Sequence, residues 1–155
     1  MQQQILSVIF AAFGSLGFAV LFNIKGRKLI YITAGGALSY TFYICACVFL
    51  ESQVIALLIA TAATTLIAEV LARLLKAPTV ILFVPILIPL VPGGDLYAAM
   101  NDLVRGGEEA FAVSSLLVLK EAAAIAFGII LVTSLTEILR KVQGYVLERR
   151  KTAKK

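Results

Sequence analysis

Long apolar stretches, separated by short charged or polar loops, dominate this chain from its first residues to about residue 139. A helix that crosses a lipid bilayer needs about 20 predominantly apolar residues. The pattern predicts five membrane segments, at about 4–22, 29–50, 53–72, 78–91 and 110–139. We therefore expect an all-α fold, a polytopic helical membrane bundle over residues 1–141, followed by a basic cytoplasmic tail over residues 142–155.

The fourth of these segments is broken by proline. Pro85, Pro89 and Pro92 fall within eight residues, and Gly93 and Gly94 follow directly. Because proline lacks a backbone donor and clashes with the preceding turn, we expect a half-helix, a re-entrant segment, or a span completed by the irregular residues after it. Such backbone is tolerated at membrane depth where it is buried in protein or lines a cavity, and broken helices bind substrate in many transporters.

Two further helices are predicted after the break. Residues 95–105 form a short helix that ends at the Gly-Gly pair 106–107. Residues 108–141 then form a long helix, acidic at its start and basic at its end, which complements the helix dipole. At 1.5 Å per residue this helix is about 50 Å long. It therefore either projects beyond the bilayer or breaks near Lys120 and Glu121.

The charged loops predict how the chain crosses the membrane. Basic residues cluster in the first loop, in the third loop and in the C-terminal tail, whereas the stretch between the fourth and fifth segments is acidic. Positive residues mark the cytoplasmic side of a membrane protein. All the basic regions fall inside if the N-terminus is outside and the C-terminus is cytoplasmic. This arrangement requires the fourth segment to cross.

Composition narrows the possible chemistry. Hydrophobic residues make up 61% of the 155 residues, and the sequence contains no histidine, which excludes imidazole catalysis and histidine-ligated metal sites. The sequence also lacks a nucleotide-binding loop, a dinucleotide fingerprint and a nucleophile elbow. We expect no enzyme activity, no cofactor, no metal and no nucleic-acid partner. Any transport is expected to be driven by a gradient or by a partner chain.

The two cysteines, Cys45 and Cys47, lie within the second segment. Side chains at positions i and i+2 of a helix point about 200° apart, so this pair is not expected to form a disulfide. We interpret both residues as small, buried apolar side chains.

Gly93, Gly94 and Asp95 are the first candidates for substrate binding. Two glycines at a helix start expose backbone N–H groups that can receive a carboxylate, and Asp95 beside them can hold an ammonium group. Together they suit a zwitterionic amino acid. The alternative is that the glycines allow a tight turn and Asp95 is an N-cap. Asn101 and Asp102 follow about two turns later, where the alternative is a solvated outer face.

Ionisable residues within the apolar segments are candidates for coupling transport to a gradient. Glu69 lies four residues before Arg73, so it is either a proton-coupling carboxylate or half of an interfacial ion pair. Lys120 and Glu121 interrupt an apolar run and diverge by about 100° on a helix. Either the outer interface lies at this point, or one of the two faces an aqueous cavity.

Three stretches resemble one family of membrane exporters. They are GFAVLFNIKGRKL (Gly17–Leu29), GGAL (Gly35–Leu38) and, above all, IPLVPGGDLYAAM (Ile88–Met100). The last is similar to the proline-glycine signature of the threonine/serine exporter (ThrE) family, with matching residues at Pro89, Pro92, Gly93, Tyr97 and Met100. The resemblance is to the smaller membrane domain of that family, which also occurs as the small subunit of bacterial pairs implicated in succinate export.

The resemblance implies a subunit of a bacterial inner-membrane exporter for small amino acids such as threonine and serine, or for small organic acids such as succinate. It implies a larger membrane subunit of the same family as partner, self-association, or both. The predicted substrate-binding residues are Pro89, Pro92, Gly93, Gly94, Asp95, Tyr97 and Asn101, and the predicted coupling residues are Asp102, Glu69, Lys120 and Glu121. The alternative is a non-transporting accessory subunit that stabilises a larger membrane partner.

Overall fold

The structure, a computed structural model, describes the backbone of residues 2–152 and the side chains of residues 2–142. This part of the chain is all-α, as the hydropathy pattern predicts. The helices are α1 (Gln2–Leu21), α2 (Arg27–Phe49), α3 (Gln53–Leu74), α4 (Thr79–Leu87), a 3-10 helix (Ile88–Leu90), α5 (Gly93–Val104) and α6 (Glu108–Thr152).

Four of these helices, α1, α2, α3 and α6, are each long and apolar enough to cross a membrane. The fourth predicted segment is shorter. It consists of α4 and the 3-10 helix, and the chain then bends by 58° into α5. The bent pair is either a fifth, broken crossing or a re-entrant loop, so the described chain has four or five candidate spans.

Helix α4 lies against α1, α2 and α3, while α6 packs on α3 and α5. The hydrophobic core forms where α4 meets the first three helices, and Ile32, Leu82 and Ile86 are completely buried there. Alanines at Ala19 and Ala68 complete this core and keep the helices close. The short, broken helix is therefore enclosed by protein on several sides.

Glycines bring the helices together at three contacts. A Cβ on Gly35 would lie 2.9 Å from the side chain of Ile86, and one on Gly36 would collide with Ser15. A Cβ on Gly128 would lie 2.9 Å from the backbone oxygen of Leu58. Close approach of helix backbones at small residues is the usual source of packing energy between membrane helices. At Gly36 and Gly128 a change of rotamer cannot relieve the contact, because the Cβ of Ser15 and the backbone oxygen of Leu58 are both fixed by the backbone.

Hydroxyl groups add one polar contact inside the bundle. Ser39 and Thr64 share a buried hydrogen bond of 2.7 Å between α2 and α3. Thr64 and Thr65 also donate to backbone carbonyls one turn earlier in their own helix, at 2.7 and 2.8 Å. These threonines therefore stabilise the helix and its packing.

One expectation from the sequence is wrong, and one open alternative is decided. Cys45 and Cys47 are free, but both are exposed rather than buried. They point in nearly opposite directions from α2, and no other described helix covers either of them. Helix α6 does not break near Lys120 and Glu121; it continues to Thr152, into the predicted basic tail. Residues 153–155 of that tail lie outside the described residues.

Replacing Gly128 with Ala should destabilise the protein by about 1–3 kcal/mol, because the new methyl group forces α6 away from α3. The matched control is Gly14→Ala in α1, where a Cβ meets nothing within 4 Å and where better helix propensity should stabilise slightly. Thermal unfolding of both variants in mild detergent tests this difference. Equal midpoints for the two variants would contradict the close contact between α3 and α6.

Candidate functional site

The proline break shapes a cavity at one end of the bundle. Pro85 lies inside α4, Pro89 lies at the start of the 3-10 helix, and Pro92 precedes α5. Because these residues cannot donate to the preceding turn, the backbone cannot continue as one straight helix. The chain turns instead, and the break leaves a space of about 150 Å³ between α2, α3 and α6. We call this space the break cavity.

Residues from four α-helices and from the break itself line the cavity. They are Tyr40 and Tyr43 from α2, Gln53 and Leu57 from α3, Pro89 to Gly94 across the break and into α5, Asp95 from α5, and Glu121 from α6. The tyrosine rings lie 5.8 Å apart, centroid to centroid. The wall is therefore apolar and aromatic on one side, and polar where α3, α5 and α6 meet.

A glutamine bridges two carboxylates in the break cavity. The side-chain nitrogen of Gln53 donates to Glu121 Oε1 at 2.9 Å and to Asp95 Oδ2 at 3.3 Å. Glu121 is completely buried, and its second oxygen, Oε2, has no hydrogen-bond partner among the described residues. A buried carboxylate with an empty acceptor position is costly unless a cation, a proton or a polar ligand meets it.

The lining contains two acidic side chains and no lysine or arginine. This charge pattern suits a positively charged group, such as an ammonium ion or a proton. A negative group can be received only at the start of α5. There the N–H of Gly93 already donates to the carbonyl of Val91 at 2.7 Å. The N–H groups of Gly94 and Asp95 follow it in the first turn and have no partner within α5.

Six of the predicted functional residues meet at this cavity. They are Pro89, Pro92, Gly93, Gly94, Asp95 and Glu121. Of the two alternatives for the Lys120–Glu121 pair, the structure favours a cavity, because Glu121 faces into it while Lys120, about 100° away around α6, is exposed. The roles of these residues in binding and coupling stay predictions.

The other predicted residues lie elsewhere. Tyr97 is 75% exposed and, like Asn101, does not line the break cavity. Asp102 accepts a hydrogen bond of 2.6 Å from Ser114, which ties α5 to α6. Glu69 pairs with Arg73 at 3.2 Å near the far end of α3. This contact matches the ion-pair alternative for Glu69.

Sequence reasoning missed Gln53, Tyr40 and Tyr43. Gln53 follows Glu51 and Ser52 and therefore looks like part of a polar loop. A tyrosine within an apolar segment is common near membrane interfaces and gives no specific signal. One clue was present: Gln53 is an amide at the first position of a membrane helix, where it can reach groups at the same depth on other helices.

Comparison with known proteins identifies one family. The model of the family described as "Threonine/Serine exporter, ThrE" matches residues 7–135, which include every residue that lines the break cavity. A search of curated proteins and a search of solved structures found no match.

Replacing Gln53 with Ala should destabilise the protein by about 1–3 kcal/mol, because the buried Glu121 loses its only described donor. The same change should cost little in a Glu121→Leu background, where no carboxylate is left unpaired. Thermal unfolding of the two single variants and the double variant measures this coupling. Gln4→Ala, at an exposed position in α1, is the matched control. Purely additive effects would show that Gln53 does not hold Glu121.

Proposed function

Because this chain belongs to the threonine/serine exporter (ThrE) family, we propose that it is the subunit of a gradient-driven exporter in which the break cavity binds a small amino acid. The chain is a multi-pass membrane protein of transporter type. Beyond this transporter class, the substrate, the binding residues and the driving force are what we propose. The bacterial inner membrane, with the N-terminus outside and the C-terminus cytoplasmic, is the location that the basic loops support.

The charges in the break cavity complement a zwitterion. The ammonium group of an amino acid fits beside Asp95 and the unpaired oxygen of Glu121. Its carboxylate fits at the start of α5, where the N–H of Gly94 is available and the helix dipole favours negative charge. The cavity, at about 150 Å³, is smaller than the roughly 300–1,000 Å³ of sites for larger ligands. Threonine and serine suit these dimensions.

A dicarboxylate such as succinate suits the cavity less well. Both of its ends are negative, and no basic side chain is among the residues that line the cavity. The two acidic side chains repel such a ligand at short distance. We therefore propose small amino acids rather than small organic acids as the substrates.

Glu121 is the residue that carries this proposal. It is completely buried in a membrane helix and keeps one oxygen without a described partner. Intramembrane carboxylates of this kind mark ion and proton pathways. A proton and a substrate ammonium group compete for the same oxygen, so proton entry can release the substrate. This exchange links efflux to a pH gradient without a nucleotide.

An accessory role is the second candidate. Apart from the hydrogen bond between Gln53 and Asp95, helix α5 packs against α6 alone in the described part of the chain. Leu96, Tyr97 and Met100 on α5 are more than half exposed. Exposed apolar and aromatic groups beside a binding cavity suit a larger membrane partner or a second copy of this chain. In the accessory case the partner's helices form the path, and the break is an interface feature.

Replacing Glu121 with Gln should reduce threonine efflux by about tenfold or more, because a charged contact to the ammonium group is lost. The measurement is efflux of labelled threonine from loaded proteoliposomes under an imposed pH gradient. One proteoliposome sample contains this chain alone, and a second contains it together with a larger partner subunit. Lys120→Gln, next in sequence but exposed, is the matched control and should keep efflux within about twofold.

Two results decide between the candidates. Slower efflux of labelled succinate than of threonine supports the amino-acid assignment, whereas faster succinate efflux overturns it. Normal threonine efflux by a folded Glu121→Gln variant removes the cavity from the path and favours the accessory role. In that role, changes at Asp95 and Glu121 alter the yield of the complex instead of its selectivity.

Replacing Gly93 with Val should abolish efflux while leaving membrane insertion intact. Gly93 lines the cavity, and a Cβ there meets nothing within 4 Å, so we expect the added side chain to narrow the cavity without straining the helix contacts. Labelled-threonine efflux and membrane-fraction yield are measured together. Gly14→Val, which also meets open space but lies in α1, is the control. Unchanged efflux by Gly93→Val would show that substrate does not pass the break.

A further inference from the structure

A second concavity lies at the end of α3 that is remote from the break cavity. Its volume is about 430 Å³. It is lined by Glu69, Ala72, Arg73, Lys76, Ala77, Pro78, Thr79 and Arg140, from α3, the loop after it, the start of α4, and α6. We call it the basic pocket. The basic pocket shares no residue with the break cavity. The two spaces lie at opposite ends of α3.

The basic pocket carries three cationic side chains and one carboxylate. Glu69 is already paired with Arg73 at 3.2 Å, and the side chain of Glu69 is only 14% exposed against 54% for Arg73. The Glu69 carboxylate therefore holds the Arg73 guanidinium group from its more buried side, while about half of the Arg73 side chain stays exposed. No salt bridge to Lys76 or Arg140 exists among the side chains of residues 2–142. The pocket has an excess of positive charge on converging side chains.

Lys76 occupies a position that usually belongs to glycine. Helices α1, α3 and α5 end alike, with a left-handed residue followed by an N–H that bonds five residues back, at 3.0 to 3.1 Å. The left-handed residues are Asn23, Lys76 and Gly106, with φ of 56°, 47° and 74°. Glycine and asparagine adopt this conformation readily, whereas lysine is strained there. Lys76 lines the pocket despite this strain, and such strain often marks a functional position.

The start of α4 faces the same pocket. Pro78 and Thr79 line it, and no side chain caps this helix end. The N–H groups in the first turn of a helix have no partner within the helix, and the helix dipole favours negative charge there. Three cationic side chains and a helix start thus converge on one space. Arginine and free backbone N–H groups together are typical of phosphate recognition.

An apolar groove begins at the next residue of α4. Phe22, Val80, Ile81 and Val84 line a space of about 170 Å³. Val80 follows Thr79 directly, so the apolar groove and the basic pocket share the first turn of α4. Val80 is 69% exposed and Phe22 is 55% exposed. An anionic group with an attached hydrocarbon chain matches this pair of surfaces, and a free anion matches only the pocket.

We propose that the basic pocket binds the phosphate of an anionic phospholipid, with an acyl chain of that lipid in the apolar groove. Arg73 and Arg140 hold the phosphate oxygens, Lys76 covers them, and Glu69 is a positioning residue that orients Arg73. Basic pockets between membrane helices on the cytoplasmic side are suited to such head groups. The site lies where α3 ends and α4 begins, so a bound lipid braces the helix that leads into the break.

The test is lipid binding by the purified full-length chain, which needs no transported substrate. Phosphatidylglycerol is titrated into detergent-solubilised protein, and bound lipid is counted by native mass spectrometry. Phosphatidylcholine and inorganic phosphate are titrated in parallel. Arg140→Gln should weaken phosphatidylglycerol binding about fivefold. Lys25→Gln, which removes a charge from the exposed first loop outside the pocket, should leave it unchanged.

Lys76→Gly is the second variant, because it separates binding from folding. Glycine relieves the left-handed strain, so the unfolding midpoint in detergent without added lipid should stay the same or rise. Phosphatidylglycerol binding should nevertheless fall about fivefold. Val80→Ser should weaken lipid binding but leave any binding of inorganic phosphate unchanged.

Three outcomes overturn the proposal. Equal losses in Lys25→Gln and Arg140→Gln would show diffuse attraction to the basic end instead of a site. Phosphate binding as tight as that of phosphatidylglycerol, and insensitive to Val80→Ser, would identify a free phosphate ligand rather than a lipid. Unchanged lipid binding in both Lys76→Gly and Arg140→Gln would show that the basic residues serve only to orient the chain in the membrane.

Discussion

The need to satisfy backbone polar groups at membrane depth shapes the rest of this structure. Pro85, Pro89 and Pro92 each lack a donor, so the fourth segment cannot be a regular helix exposed to lipid. The chain meets this constraint with short local bonds: Val91 donates to Ile88, and Leu96 donates to Pro92. It also places the segment against α1, α2 and α3, where lipid does not reach most of it. The contacts at Gly35 and Gly36 make room for this arrangement.

The break cavity is a consequence of the same constraint. Where the backbone turns by 58°, the neighbouring helices cannot pack closely against it. The space that remains is lined by side chains from α2, α3, α5 and α6. Asp95 belongs to the helix that starts at the break, and Glu121 belongs to the helix that passes it. Gln53 joins the two with one amide group. The polar site thus has a structural origin, and its unpaired carboxylate oxygen supports a role in binding a cation.

The two ends of the bundle have opposite electrostatic character. The end with the break cavity carries Asp95 and Glu121, and the end with the basic pocket carries Arg73, Lys76 and Arg140. Helix α4 connects them, since its first turn lies at the basic pocket and its last turn leads into the break. Ligands bound at the two proposed sites would therefore contact the two ends of the same short segment.

The sequence by itself determined the all-α membrane fold, the proline break and the family. These features are local: a run of apolar residues, a missing N–H and a short signature are all properties of neighbouring positions. Only the tertiary structure decided which polar residues meet. Gln53 and Glu121 are 68 residues apart, and Glu121 faces the cavity while Lys120 faces away, because packing against α3 sets the rotation of α6. Tyr97 on α5 and the two cysteines Cys45 and Cys47 on α2 are exposed because no other described helix covers them. Hydropathy predicts that a helix lies in the membrane, but the contacts between helices decide which of its sides faces protein.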